Sequence, residues 1–176
     1  NMYFNTTLIY ALSLSSFFGQ SSLFSLSKLG EKSNFQMKKV ILNNFFTNAL
    51  KVNHLYQKIN IDSSKFSNFL STAIIINAED PIVCDIYPIS QNTNMRVDLP
   101  NCVQVLNCSF TNNIVSYNDG GSINCNLANP NFYFLTDRCN FTNCKALSKG
   151  GAIYFTNPKD SIQYNAISYC NFMGCA

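Results

Sequence analysis

The sequence predicts an all-β chain wound as a parallel β-helix, a solenoid of roughly five to seven coils. Three observations carry that expectation. Cys108, Cys139 and Cys170 stand 31 residues apart, Phe110, Phe141 and Phe172 keep the same interval, and Cys144 and Cys175 repeat it. Around these residues apolar and polar side chains alternate. Leu106, Cys108 and Phe110 fall on one face and Asn107, Ser109 and Thr111 on the other, the period of a strand with one side buried. The composition agrees: of 176 residues 47% are apolar, only 12% are charged, and 26 are Asn. So apolar a chain is not a charged disordered tail. The ten Lys and two Arg form no basic stripe, which excludes a dedicated nucleic-acid binder. Helix formers are too scarce for a coiled coil or bundle.

Residues 1–40 are read as N-terminal coils or a cap with a signal-like stretch, and 41–176 as the β-helix repeats, cut short at the C-terminal end. The run Leu8 to Phe18 (LIYALSLSSFF) has two readings, the apolar core of a secretion signal or an ordinary buried strand. The first Lys is Lys28, so the basic flank of a signal is missing and the strand is favoured. Ser13, Ser15, Ser16, Gln20, Ser21 and Ser22 break the run well short of the ~20 apolar residues of a membrane span.

Degenerate copies of the repeat follow. LNNFFTN (42–48) and DSSKFSN (62–68) share a Phe-Thr/Ser-Asn core, with Phe46 and Phe66 20 residues apart. Further copies are read at Cys84 to Ile86 and at Ser16 to Phe18. The position two before Phe then runs Ser16, Asn44, Ser64, Cys84, Cys108, Cys139, Cys170. Asn48, Asn68, Asn112 and Asn143 follow the strand, and Asn suits a corner because it tolerates left-handed backbone and bonds locally. Stacked coils would let each corner Asn bond to those above and below. Gly120-Gly121 and Gly150-Gly151 open a second strand, GGSINC and GGAIYF, with a counterpart at STAIII (71–76); glycine permits the tight corner and close backbone approach. A third full-strength copy, YCNFMGC (169–175), breaks off at Ala176, so further coils of the same full-length chain, or a cap, are expected there.

GGAI (Gly150 to Ile153) and FxxN (Phe110, Asn113) resemble the tandem motifs of polymorphic outer-membrane protein repeats, and similar Cys-containing repeats occur in predicted surface proteins of protists. More broadly the chain resembles the right-handed parallel β-helix of the pectin-lyase-like superfamily. The resemblance covers 102–176 clearly and 40–80 weakly. FxxN is complete only once, since Cys144, Phe69 and Ala49 take the Asn position elsewhere, and Ser122 follows Gly121 in place of Ala. The resemblance implies a protist or bacterial protein, extracellular or on the cell surface. Its role would be that of a non-catalytic adhesin, antigenic passenger or spacer, with neighbouring or host surface molecules or glycans as partners.

The alternative is a polysaccharide lyase or glycoside hydrolase of the same fold. The resemblance implies for such enzymes an Asp cluster, often with Ca²⁺, and a basic residue; Glu79, Asp80, Asp85, Asp98 and Arg96 are the candidates. Otherwise they belong to a polar loop marked by Pro81 and Pro88, and no cofactor is expected. Asp62 and Asp137 share a repeat column and are read as strand starts, not a carboxylate pair. Cys139-x4-Cys144 and Cys170-x4-Cys175 raise three readings: a Zn²⁺ site, disulfides, or a buried thiol ladder that also includes Cys108. The ladder leads, because like residues on stacked coils aim their Cβ bonds in parallel, a poor geometry for bridging. The single His, His54, offers little for triad chemistry. Sequons at Asn5, Asn107 and Asn140 are candidate glycosylation sites, and the alternation turns Asn107 and Asn140 outward. Tyr117, Phe132, Tyr133 and Phe134 either stack on sugars or cover the rod.

Overall fold

The computed structural model describes residues 5–26, 33–53, 57–78, 102–117, 119–127, 133–156 and 164–176. All of its strand pairs are parallel. The first coil holds β1 (Asn5–Tyr10), β2 (Ser13–Phe17) and β3 (Phe24–Leu26); the second holds β4 (Ser33–Lys38), β5 (Ile41–Phe45) and β6 (Leu50–Val52). The third holds β7 (Gln57–Asp62), β8 (Lys65–Phe69) and β9 (Ile74–Ala78). The fourth and fifth carry an extra short strand: β10 (Cys102–Leu106), β11 (Ser109–Thr111), β12 (Ile114–Val115) and β13 (Ile123–Leu127), then β14 (Tyr133–Asp137), β15 (Asn140–Thr142), β16 (Lys145–Ala146) and β17 (Ile153–Thr156). A partial sixth coil has β18 (Tyr164–Ser168) and β19 (Asn171–Met173). Two six-stranded sheets and one five-stranded sheet run up the stack, and β12 pairs with β16. No described helix is long and apolar enough to cross a membrane.

The alternation seen in the sequence becomes the inside and outside of this tube. Leu14, Leu42, Phe66, Phe110, Phe141 and Phe172 stand in register in one inward column. Its rings stack nearly parallel: Phe66 on Phe110 at 5.0 Å, Phe110 on Phe141 at 4.8 Å, and Phe141 on Phe172 at 4.9 Å. Those separations match the strand spacing of any sheet, so each ring repeats its neighbour's position one coil on. Phe17, Phe45 and Phe69 form a second column at 5.3 and 5.0 Å. On the third sheet Leu50, Ile74, Ile123 and Ile153 stand above one another, as do Val52, Ile76, Cys125 and Phe155. One continuous core results, from Leu26 to Ala152.

Two corners flank the middle sheet, and each places one residue per coil in the left-handed region. At the second corner these are Ser16, Asn44, Asn68, Asn112, Asn143 and Gly174, with φ between 53° and 64°. Asn68 donates to Asn44 at 3.1 Å, Asn112 to Asn68 at 3.4 Å and Asn143 to Asn112 at 3.3 Å, the expected amide ladder. At the first corner they are Ala11, Lys39, Ser63, Asn107, Arg138 and Tyr169, with φ between 50° and 53°. Most of these types disfavour that conformation by roughly 1–2 kcal/mol. The corner holds because its backbone is still laddered: Lys39 N–H donates to the Asp62 carbonyl at 3.1 Å, Ser63 to Leu106 at 3.0 Å, and Asn107 to Asp137 at 2.9 Å.

The in-register pairing revises the reading of the first two coils. Leu42, not Phe46, pairs with Phe66, and Phe46 is 47% exposed. Ser16 and Asn44 therefore belong to the second corner, while Val40 stands in the column of Ser64, Cys108 and Cys139. Asn48 leaves the corner ladder; its amide instead donates to Ser71 Oγ at 2.9 Å and to the Thr72 carbonyl at 2.6 Å. Ala49 likewise is not the counterpart of Asn113; Phe45 is. The copy read at Cys84 lies outside the described residues; among them β7 pairs directly with β10 and β9 with β13. Asp62 and Asp137 do share a column, but they close β7 and β14 instead of starting strands, and Leu106 lies between them.

Asn113 shows why the FxxN Asn is useful even once. It is fully buried and continues the Phe17–Phe45–Phe69 column toward Cys144. Its Oδ1 accepts the Phe69 N–H at 3.1 Å, and its Nδ2 donates to Ser122 Oγ at 3.1 Å and to the Phe66 carbonyl at 3.5 Å. The Asn side chain thus serves as the acceptor for the Phe69 N–H just before the chain enters β12. Asn113→Ala strands a buried amide, so the loss expected is about 1–3 kcal/mol, read as a lower denaturation midpoint with unchanged far-ultraviolet dichroism.

Candidate functional site

Five of the eight cysteines fill two separate columns at the ends of the middle sheet. Cys108 and Cys139 are buried at the first corner and Cys170 is half-buried there; Cys144 (buried) and Cys175 (half-buried) lie at the second. All five, and Cys125 on the third sheet, are free thiols. Each corner thiol donates to the carbonyl two residues before it, Cys108 Sγ to Leu106 at 3.1 Å and Cys139 Sγ to Asp137 at 3.4 Å. Cys139 Sγ also accepts the Cys108 N–H at 3.4 Å. Ser64 makes the same two bonds, to the Asp62 carbonyl at 2.9 Å and from Val40 N–H at 3.1 Å. The Cys column thus continues a Ser position whose work is to complete the corner backbone.

For four of the thiols the surroundings favour the protonated form. A hydrogen bond with the Cys108 thiol, then burial, pushes the Cys139 thiol far up; burial leads for Cys125, Cys144 and Cys170, all raised. A thiolate is the reactive form, so these cysteines are poor nucleophiles. With these pKa values raised in the folded chain, the unfolded thiols lose their protons first, near their ordinary 9.0, so stability is whole below that pH and falls above it. Melting temperature should be flat from pH 6 to about 8 and drop toward pH 10, with Cys125 and Cys139 alkylated only on unfolding. Cys125→Ser and Cys139→Ser should soften the drop. Among the described residues no group of three His, Cys, Asp or Glu is placed to hold a metal.

Other candidate residues divide by location. Glu79, Asp80, Asp85, Asp98 and Arg96 lie outside the described residues, as do His54, Cys84 and Phe132. Asn107 and Asn140 are exposed, and Asn107 donates to Asp62 Oδ1 at 3.0 Å; Asn5 opens β1. Phe134 is buried in the core, whereas Tyr117 is 70% exposed.

The described surface holds a groove that the repeat pattern did not announce. In the second and third coils the second corner is short, with four residues between Phe45 and Leu50 and four between Phe69 and Ile74. In the fourth and fifth coils it lengthens to carry β12 and β16. The step leaves a 410 Å³ groove, with Phe46 and Tyr117 as aromatic walls and Gln20, Thr47, Asn48, Lys51 and Ser71 among its polar lining. Its signal in the sequence was the unequal distance from the Phe column to the following strand. No protein-family model matches the chain, and no curated protein or solved structure matches it either.

Proposed function

We propose that the chain is a non-catalytic β-helix segment of a secreted or cell-surface protein, serving as adhesin, antigenic passenger or spacer. The observation that carries this reading is the division of side chains between inside and outside. Rings, aliphatics and thiols close the core, and amides and hydroxyls repeat along the outside. Ser67 donates to Asn43 at 3.0 Å and Asn68 to the same oxygen at 2.9 Å, continuous with the Asn ladder. Such a rod holds a surface at a fixed distance and repeats its chemistry along its length. The polymorphic outer-membrane repeats resembled by GGAI and FxxN favour the same role, and glycans on Asn107 and Asn140 would project from it.

An antibody against the folded rod tests the proposal. Staining of intact, unpermeabilised cells of the source organism is expected, and staining only after permeabilisation would overturn it.

A further inference from the structure

We propose that the groove at the second corner is a binding site for a neutral oligosaccharide, an inference that rests on the display role above and names its ligand. The argument begins with how the groove is built. Asn48 lies half-buried in its floor with its side chain fixed on three sides: Nδ2 donates to Ser71 Oγ at 2.9 Å and to the Thr72 carbonyl at 2.6 Å, and Oδ1 accepts Ser22 Oγ at 3.5 Å. Thr47 is tied to the Ser21 carbonyl at 3.0 Å. These groups are held before any ligand arrives, so binding need not order them, which lowers its entropic cost.

The walls supply the second half. Phe46 is 47% exposed and packs against Phe18, which is 69% exposed, at a ring separation of 4.8 Å. Tyr117 is 70% exposed on the lengthened corner of the fourth coil and faces the same groove. Rings left in water beside fixed amides and hydroxyls suit a ligand with apolar C–H faces and a rim of hydroxyls. A wholly apolar partner would cover the exposed Gln20 side chain without replacing its bonds to water. A volume of 410 Å³ falls in the about 300–1,000 Å³ of small-ligand sites. Among the described lining residues the sole charge is Lys51 and there is no carboxylate, so binding is not chiefly electrostatic.

The test is calorimetric titration of the whole chain with maltotetraose, a chitin tetramer and a galacturonate tetramer, each at low and high salt. Saturable binding of a neutral tetramer, insensitive to salt, is expected. Tyr117→Ala and Phe46→Ala should each weaken it at least tenfold without lowering the melting temperature by more than a few degrees, and Arg138→Ala, at the other corner, should leave it unchanged. No binding of either neutral tetramer, binding of the galacturonate alone that fades with salt, or binding indifferent to both ring variants would overturn the proposal. Surface staining without saccharide binding would sink the groove and spare the display role; binding by a protein never found at the surface would do the reverse.

Discussion

Phe110→Ala is expected to lower stability by about 3–5 kcal/mol, the range for deleting a buried aromatic ring. Phe110 is completely buried, and its ring lies between Phe66 at 5.0 Å and Phe141 at 4.8 Å, so both neighbours lose a stacking partner along with the cavity term. The site cannot collapse to fill the void, because each neighbour is itself held by the coil beyond it. Denaturant unfolding of the variant should show a lower midpoint or loss of folding above room temperature. Phe46→Ala supplies the contrast. Phe46 carries the same Phe-Thr-Asn signature in sequence, yet it sits on the outer surface, 47% exposed, against the ring of Phe18, so about 1 kcal/mol is expected. Equal losses at the two positions would mean that Phe46 occupies the inner column after all.

Gly121→Ala is the second large effect. A methyl group there would be driven into the Gly151 carbonyl oxygen and would lie 2.9 Å from both the amide nitrogen and the carbonyl oxygen of Lys145. Every one of these is backbone, held in the inter-coil ladder: Gly121 N–H donates to the Gly150 carbonyl at 3.1 Å and Lys145 N–H to Asn113 at 2.8 Å. Nothing can rotate aside, so the two coils must separate locally. The expected cost is at or above the top of the about 1–3 kcal/mol usual for overpacking. The reason for glycine here differs from that at Gly120, whose φ of 72° asks for glycine on conformational grounds. Hydrogen exchange should show faster exchange at Gly121, Ser122 and Lys145 before the rest of the stack is affected, and unchanged protection there would contradict the close approach.

The fourth to sixth coils could be read from sequence because their identities repeat. Identical rings at a constant interval can only stack one way, and the two glycines mark a place where chain meets chain. The first two coils misled because two different rules were fused. The triplet Phe-Thr-Asn at 46–48 matched the eye, but the fold conserves spacing of apolar character, Leu14-x-x-Phe17, Leu42-x-x-Phe45 and Phe66-x-x-Phe69, whatever the residue type. That pattern was present and would have set the register. The first corner was not legible at all, since Ala11, Lys39, Arg138 and Tyr169 give no sign of left-handed backbone. Their conformation is imposed by the ladder from coil to coil, a tertiary effect that local propensity does not contain. The groove was hidden for a related reason: it arises from a change in corner length between the third and fourth coils, and its residues, from Gln20 to Tyr117, share no motif. Only Tyr117 had stood out as a ring suited to a sugar.

The proposition beneath all of this is that coils stack in register, like upon like. Nuclear Overhauser contacts between phenylalanine rings, in protein labelled only at Phe and assigned through single Phe→Leu variants, test it most directly. Stacking predicts cross-peaks between Phe66 and Phe110, Phe110 and Phe141, and Phe141 and Phe172, whose centroids lie 4.8 to 5.0 Å apart, and none between Phe66 and Phe141. A spectrum lacking the Phe110–Phe141 contact, or one joining rings two coils apart, would contradict the stacked solenoid.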